Sequence, residues 1–133
     1  MKFPLAAAVL ALTAAPAFAA DLAKGEKDFK KCKSCHMIVS DAGDTIVKGG
    51  KTGPNLYGVI GRAAGSVDGF RYSSALTDLG AAGVVWDEAS LAEYITDPNA
   101  YVSAKGVSGR TKMSFKLKKG SEDVAAYLAS LAQ

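Results

Sequence analysis

The residues with the clearest chemistry form one pentapeptide, Cys32-Lys33-Ser34-Cys35-His36. Two cysteines three positions apart, followed directly by a histidine, are typical of covalent haem attachment, in which each sulfur adds to a porphyrin vinyl group. On one helical turn the two thiols point the same way, and the histidine after them can bind the iron. Because the chain has only these two cysteines and this one histidine, a single haem accounts for all of them.

Two other kinds of site share part of this pattern. A Cys-x-x-Cys pair is also the motif of thioredoxin-type dithiol oxidoreductases. Structural zinc uses cysteine and histidine as well, but it needs four ligands and only three are present here. The histidine directly after Cys35 favours haem over both.

A haem iron bound by His36 has a sixth position to fill. A methionine or second histidine there is typical of an electron carrier, whereas an open position is typical of a peroxidase or a gas-binding cytochrome. Met1 falls in the N-terminal leader, and Met37 adjoins His36 and cannot reach the opposite face of the haem. Met113, between lysines in a predicted loop, is therefore the predicted sixth ligand. The alternative role for a lone methionine is filling a gap in the core.

Four further residues are predicted to support the haem. A ligating imidazole donates its second N–H to a fixed acceptor, and the segment 52–56 can supply a rigid carbonyl, for which Pro54 is the candidate. The haem propionates need donors, which Arg62, Tyr72 and Trp86 can provide. Core packing is the alternative role for the two aromatic residues, and both roles are compatible because each has an apolar body and a polar tip.

The N-terminus has the features of a secretory signal peptide. Lys2 precedes an apolar, alanine-rich run, and Ala17-Phe18-Ala19 is a small-x-small cleavage signature. The run is too short for a membrane anchor. We expect a signal peptide over residues 1–19 and one cytochrome domain over residues 20–133, located in the periplasm and not anchored to the membrane.

The pattern of apolar residues predicts an all-α fold with long loops. Residues 41–69 and 99–119 are the predicted loops. Gly25 within the first helix indicates close approach by another helix, and Gly25 and Phe29 against Val124 and Tyr127 is the predicted crossing of the terminal helices. The predicted helices run from Leu22 into the haem motif, from Tyr72 to Gly80, from an Asp87 cap to Asp97-Pro98, and from a Ser121 cap to the C-terminus.

These motifs in combination resemble the class I c-type cytochromes, most closely the cytochrome c2 group of purple photosynthetic bacteria. The resemblance covers nearly all of the chain after the leader. The residues that carry it are Gly25, Phe29, Cys32-x-x-Cys35-His36, Lys51-Thr52-Gly53-Pro54-Asn55-Leu56-Tyr57-Gly58, Gly61-Arg62, Gly69-Phe70-x-Tyr72, Trp86, Leu91-x-x-Tyr94, Asp97-Pro98, Thr111-Lys112-Met113-x-Phe115 and Val124-x-x-Tyr127-Leu128.

The resemblance implies a small, loop-rich cytochrome c fold wrapped round one covalent haem c, with Cys32 and Cys35 as thioether residues and His36 and Met113 as axial iron ligands. It also implies that Tyr94 approaches the methionine sulfur. The implied function is electron transport, including that of photosynthesis, and not an enzyme activity. The implied donor is a cytochrome bc1 complex, and the acceptor is a photosynthetic reaction centre or a terminal oxidase.

The distribution of charge predicts a docking face. The net charge is only +3, and we expect a monomer with no nucleic-acid partner. Lys33 lies between the attachment cysteines, Lys112 and Lys116 flank the predicted methionine ligand, and Lys51 precedes the Pro54 segment. These lysines are predicted to surround the haem edge and to orient a partner with an acidic face. A merely solvated basic surface is the alternative.

Overall fold

The computed structural model describes residues 20–132, which form five helices and one two-stranded sheet. The elements in chain order are α1 (Leu22–Phe29), β1 (Ile38–Val39), β2 (Thr45–Val47), α2 (Ser74–Ala81), α3 (Glu88–Thr96), α4 (Pro98–Ala104) and α5 (Ser121–Leu131). The small, mainly helical, loop-rich fold is confirmed. The predicted signal peptide lies outside the described residues. Within residues 20–132, none of the helices has the length and apolar character that a membrane span needs.

The terminal helices α1 and α5 cross at Gly25, as predicted. A β-carbon at this position would overlap the carbonyl group of Asp123, so only glycine lets the two backbones approach this closely. One turn later Phe29 packs against Tyr127, with ring centroids 6.0 Å apart. Lys24 adds polar contacts across the crossing, since its ammonium lies 3.5 Å from an Asp123 carboxylate oxygen.

The first helix is shorter than predicted. It ends at Phe29, and residues 30–35 form consecutive turns instead of continuing the helix. The Cys32 N–H still donates to the Phe29 carbonyl at 2.8 Å, and the His36 N–H donates to the Cys32 carbonyl at 3.0 Å. The two cysteines therefore remain on one helix-like turn, although the regular helix stops before them.

Two other helix limits also differ from the predictions. The second helix continues through Gly80 to Ala81, and the glycine is needed there because a β-carbon would overlap the Ala64 carbonyl. Gly120, not Ser121, occupies the N-cap position of α5. The Ser121 hydroxyl instead donates to the Leu117 carbonyl at 2.9 Å. The predicted Asp87 cap of α3 is confirmed, and Ser90 completes a reciprocal capping box.

An antiparallel hairpin begins before the first predicted loop and has its second strand inside it, so the purely helical prediction was incomplete. Ile38 pairs with Val47 and Val39 with Thr45. The side chain of Asn55 holds the hairpin from outside, accepting from the Val39 N–H at 3.0 Å and donating to the Val39 carbonyl at 2.8 Å. Strands of two and three residues are too short to show an alternating pattern in the sequence.

The second predicted loop was wrong over its first residues, which form α4. Asp97 ends α3 and also caps α4, where its Oδ1 accepts the Ala100 N–H at 3.2 Å. Pro98 then occupies the first helical position, where its missing N–H costs nothing. The same Asp-Pro pair that stops one helix therefore starts another. Tyr101 and Val102 bury the new helix against the core.

Prediction for the helix crossing. We expect Gly25→Ala to lower the free energy of unfolding by about 1–3 kcal/mol, because forced overpacking outweighs the roughly 1 kcal/mol that alanine gains over glycine in a helix. Denaturant unfolding measures the difference. The control is Glu26→Ala at the exposed neighbouring position, which should change stability by no more than about 0.5 kcal/mol. A more stable Gly25→Ala protein would contradict the close crossing.

Candidate functional site

A mostly apolar cavity of about 290 Å³ lies at the centre of the fold. Its volume far exceeds the ~30 Å³ share of one water molecule, so it has room for a prosthetic group. Its walls come from the Cys-x-x-Cys-His motif, the segments before α2, helices α3 and α5, and the Met113 segment. The predicted site residues that line it are Cys32, Cys35, His36, Pro54, Arg62, Tyr72, Trp86, Tyr94, Lys112 and Met113.

The His36 imidazole is buried and held at one nitrogen. Its Nδ1 lies 2.8 Å from the Pro54 carbonyl oxygen, and because a carbonyl only accepts, Nδ1 must be the donor. The lone pair of Nε2 is then available to a metal. Burial lowers the pKa of His36, an effect that the Pro54 hydrogen bond opposes. The neutral imidazole that burial favours is the form that binds metals.

The glycine-rich segment before Pro54 lies directly against the motif. The Gly50 N–H donates to the Lys33 carbonyl at 2.9 Å, and the Gly53 N–H donates to the Cys35 carbonyl at 2.7 Å. A β-carbon on Gly53 would overlap the His36 ring. Glycine at this position therefore allows the close approach that brings the next residue's carbonyl to the imidazole.

The environment of the cysteines does not suit dithiol redox chemistry. Burial raises the pKa of the Cys32 thiol to about 11, whereas the attacking cysteine of an oxidoreductase has a lowered pKa. Both sulfurs belong to the cavity wall. Among residues 20–132, no three His, Cys, Asp or Glu side chains form a group that could hold a metal ion. Both cysteines therefore line the cavity, Cys32 half-buried and Cys35 exposed, with no second protein ligand cluster among residues 20–132.

Met113 is held in the cavity wall through Thr111. The Met113 N–H donates to the Thr111 hydroxyl oxygen at 3.3 Å, and that hydroxyl lies 2.7 Å from the Tyr94 hydroxyl. Tyr94 is therefore linked to the methionine through a buried threonine. Burial raises the pKa of Tyr94, so its hydroxyl stays protonated as a hydrogen-bonding group. Thr111 was part of the sequence motif around Met113, but no role was predicted for it, although its position two residues before the methionine was a usable signal.

Arg62 brings a positive charge to the cavity. Its guanidinium donates to the Asn55 and Tyr57 carbonyls at 3.2 and 3.3 Å, and within residues 20–132 it has no carboxylate partner. Burial lowers the pKa of Arg62. The usual pKa of an arginine is so high that the guanidinium remains charged. The Tyr72 hydroxyl accepts the Val67 N–H at 3.1 Å and keeps its own proton to donate. Both groups suit an anionic ligand.

Trp86 packs among aromatic rings on the same wall. Its ring lies 5.0 Å from that of Tyr94 and 5.7 Å from that of Tyr101, measured between centroids. The indole is 5% exposed. The structure therefore places Trp86 both in the core and along the cavity.

The residues present fit a haem. One apolar cavity is lined by two cysteines on one turn, an imidazole with an available nitrogen, a thioether and the half-buried Arg62, which has no carboxylate partner among residues 20–132. These are the groups needed for two thioether bonds, two iron ligands and a propionate partner. A dithiol enzyme would need neither the thioether nor the half-buried cation.

The predicted docking residues are all exposed: Lys33, Lys51, Lys112 and Lys116. Two of them are engaged within the protein. Lys112 donates to the Arg71 carbonyl at 3.3 Å, and Lys116 lies 3.3 Å from an Asp97 carboxylate oxygen. Of the four, only Lys112 lines the cavity, and Lys31, which the sequence did not single out, lines it as well.

Several known proteins are similar to this chain in sequence and in structure. Cytochrome c2 of Rhodobacter capsulatus is 53% identical over 137 residues, covering the whole of both chains. Cytochrome c-551 of Roseobacter denitrificans is 57% identical over 131 residues, which span 95% of this chain and 94% of that protein. The solved structure of ferric cytochrome c-550 from Paracoccus versutus has a TM-score of 0.83 at 50% identity, covering 86% of this chain and all of that one. No protein-family model matches the chain.

Prediction for the two cysteines. We expect acid–organic extraction of the purified protein to leave the haem colour with the polypeptide, because thioether bonds survive conditions that break iron coordination. In a Cys32→Ser/Cys35→Ser double variant the colour should pass into the solvent. Ser34→Ala, which changes only the exposed residue between them, should retain it. Extraction of colour from the unchanged protein would contradict covalent attachment.

Proposed function

Because the chain belongs to the class I c-type cytochromes, in the cytochrome c2 group, we propose that it carries single electrons in the periplasm through a haem bound by His36 and Met113. Like its family, it is an electron-transfer protein and not an enzyme, and it carries one covalently attached haem c. It exchanges electrons with membrane redox complexes. The two iron ligands, the individual partner complexes and the periplasmic location are proposed.

The observation that carries the proposal is that His36 and Met113 line the same cavity. A bound haem would supply one-electron redox chemistry. His36 and Met113 would hold its iron with an imidazole and a thioether and would leave no position for oxygen or peroxide, as in the electron-carrying cytochromes. This favours an electron carrier over a peroxidase or a gas-binding protein.

The surrounding residues would hold the charge state and geometry of the site. Pro54 fixes the imidazole so that Nε2 faces the cavity. Cys32 and Cys35 would bind the porphyrin edge, and the half-buried Arg62, with the Tyr72 hydroxyl, would bind a propionate. Trp86 and Tyr94 complete an apolar wall that keeps water from the iron. A site that changes little between two redox states transfers electrons quickly, because little reorganisation is needed.

We further propose the cytochrome bc1 complex as the electron donor. The acceptor would be a photosynthetic reaction centre in the light and a terminal oxidase during respiration. The signal-peptide features of residues 1–19 support a periplasmic location, where such complexes are accessible. The exposed Lys33 and Lys51 near the motif, together with Lys112 and Lys116 near Met113, would face acidic patches on these partners.

Prediction for the sixth ligand. In Met113→Ala, we expect the haem to stay attached while the reduction potential falls by roughly 0.2 V, within the ~0.8 V range that axial ligation sets. Thioether sulfur is soft and favours ferrous iron over ferric, so its loss favours the oxidised state. Redox titration measures the change. Met37→Ala removes a methionine that does not line the cavity and should leave the potential unchanged. An unchanged potential in Met113→Ala would assign that residue to packing alone.

Prediction for docking. We expect Lys33→Glu to slow association with isolated bc1 complex several-fold at low salt, since charge steering raises association rates by roughly 10–10³. Stopped-flow rates at increasing ionic strength measure this, and salt should slow the unchanged protein more than the variant.

Lys119→Glu is the matched control for charge. Lys119 adjoins Gly120, which lies beside Lys24 and Asp28 at the α1–α5 crossing, whereas Lys33 lies between the two attachment cysteines. Lys24 itself is unsuitable because its ammonium binds Asp28 at 2.6 Å and also contacts Asp123. Equal slowing by Lys33→Glu and Lys119→Glu would mean that total charge, and not a face, determines the rate.

A further inference from the structure

The segment that carries Met113 has no regular structure of its own. No helix or strand is found between the end of α4 at Ala104 and the start of α5 at Ser121. Contacts with neighbouring elements must therefore set the position of the thioether. Beyond the methionine, the Leu117 N–H donates to the Ile95 carbonyl at 2.8 Å, which fixes that end of the segment to the last turn of α3.

Before the methionine, the segment is held through Thr111. The Thr111 N–H donates to Oδ1 of Asn99 at 3.1 Å, while its hydroxyl contacts Tyr94 and accepts the Met113 N–H. Thr111 is only 8% exposed. Without the Asn99 oxygen, the buried N–H of Thr111 would have no hydrogen-bond acceptor. Because a buried donor without an acceptor costs free energy, the segment would shift to avoid it.

Asn99 is itself held firmly. It is the second residue of α4, directly after Pro98, and the Asp97 cap binds the next N–H, that of Ala100. Val102, one turn later, is fully buried and anchors the helix. Asparagine is a weaker helix former than alanine, so the helix alone does not explain its presence. The hydrogen bond to Thr111 does.

We infer that Asn99 is a positioning residue for Met113. Its amide oxygen holds Thr111 in place, and Thr111 positions the backbone that carries the thioether in the cavity wall. Asn99 does not line the cavity, so it acts on the ligand without touching the haem. The inference rests on the proposed ligation by Met113 and names a residue that tunes its strength.

Imidazole binding to the ferric protein tests this, because added imidazole competes with Met113 for the iron. Asn99→Ala removes the acceptor while favouring the helix. We expect the affinity for imidazole to rise about tenfold, the effect of one lost hydrogen bond of ordinary strength. The far-red absorption band of thioether-bound ferric iron should weaken, and amide exchange at Thr111 should accelerate. Asn99→Asp keeps an acceptor oxygen and should restore both signals, with an affinity within about twofold of the unchanged protein.

Ser103→Gly is the control for helix stability. It weakens α4 at an exposed position and leaves the bond between Asn99 and Thr111 in place, so it should lower the unfolding midpoint without changing imidazole affinity. Equal affinity gains in Ser103→Gly and Asn99→Ala would overturn the inference, because any disturbance of α4, and not loss of the hydrogen bond to Thr111, would then explain the gain. An unchanged affinity in Asn99→Ala would overturn it as well.

Met113→Ala separates this inference from the proposed ligation. If Met113 binds the iron, this variant should bind imidazole far more tightly than Asn99→Ala does. The same affinity in Met113→Ala and the unchanged protein would overturn the ligation itself. A tighter Met113→Ala with an unaltered Asn99→Ala would overturn only the role of Asn99. Asn99→Ser, whose shorter side chain cannot reach Thr111, carries the same expectation should the alanine variant not accumulate.

Discussion

The hydrogen bond between the His36 imidazole and the Pro54 carbonyl fixes the cysteine–histidine motif to a short segment that has no regular structure. The residues on either side of Pro54 make contacts in two further directions. The Gly53 N–H binds the Cys35 carbonyl, and the Asn55 side chain holds the β-hairpin while its carbonyl accepts from Arg62. Residues 53–55 thus position the motif, the hairpin and the Arg62 guanidinium. A displacement of this short segment would disturb all of them together.

The two sides of the cavity are held in different ways. On the histidine side, backbone groups of residues 50 and 53 bind the motif directly, and glycine permits the close contact. On the methionine side, one backbone bond, from the Leu117 N–H to the Ile95 carbonyl, is joined by contacts that run through side chains: Tyr94 and Asn99 to Thr111, and Asp97 to Lys116. These side-chain contacts are few, and each one contributes little free energy on its own. The methionine side is therefore the side whose geometry single substitutions can adjust.

Local signals in the sequence predicted much of this molecule. The haem motif and the Asp87 cap depend on residues that are close together in the sequence. The helix crossing depends on one glycine, a residue whose presence within a helix indicates close approach by another helix. The hairpin was missed because its strands of two and three residues show no period and depend on Asn55, at least eight residues further on. The fourth helix was missed because Asp97-Pro98 was interpreted only as a stop. The contact of Asn99 with Thr111 and the ion pair of Asp97 with Lys116 could not be predicted, because in each pair neither residue indicates the other in the sequence.

If Lys116 binds a partner as proposed, its ion pair with Asp97 would make that contact an exchange reaction. A carboxylate on an approaching protein must compete with a carboxylate that Lys116 already contacts at 3.3 Å. One exposed pair is then replaced by another of similar strength, so the net contribution of Lys116 to the affinity of a complex is close to zero. The Asp97 carboxylate released in the exchange would stand at the interface as an unpaired negative charge facing an acidic partner. Such repulsion favours rapid dissociation, which a protein that must leave one complex to reach the next requires.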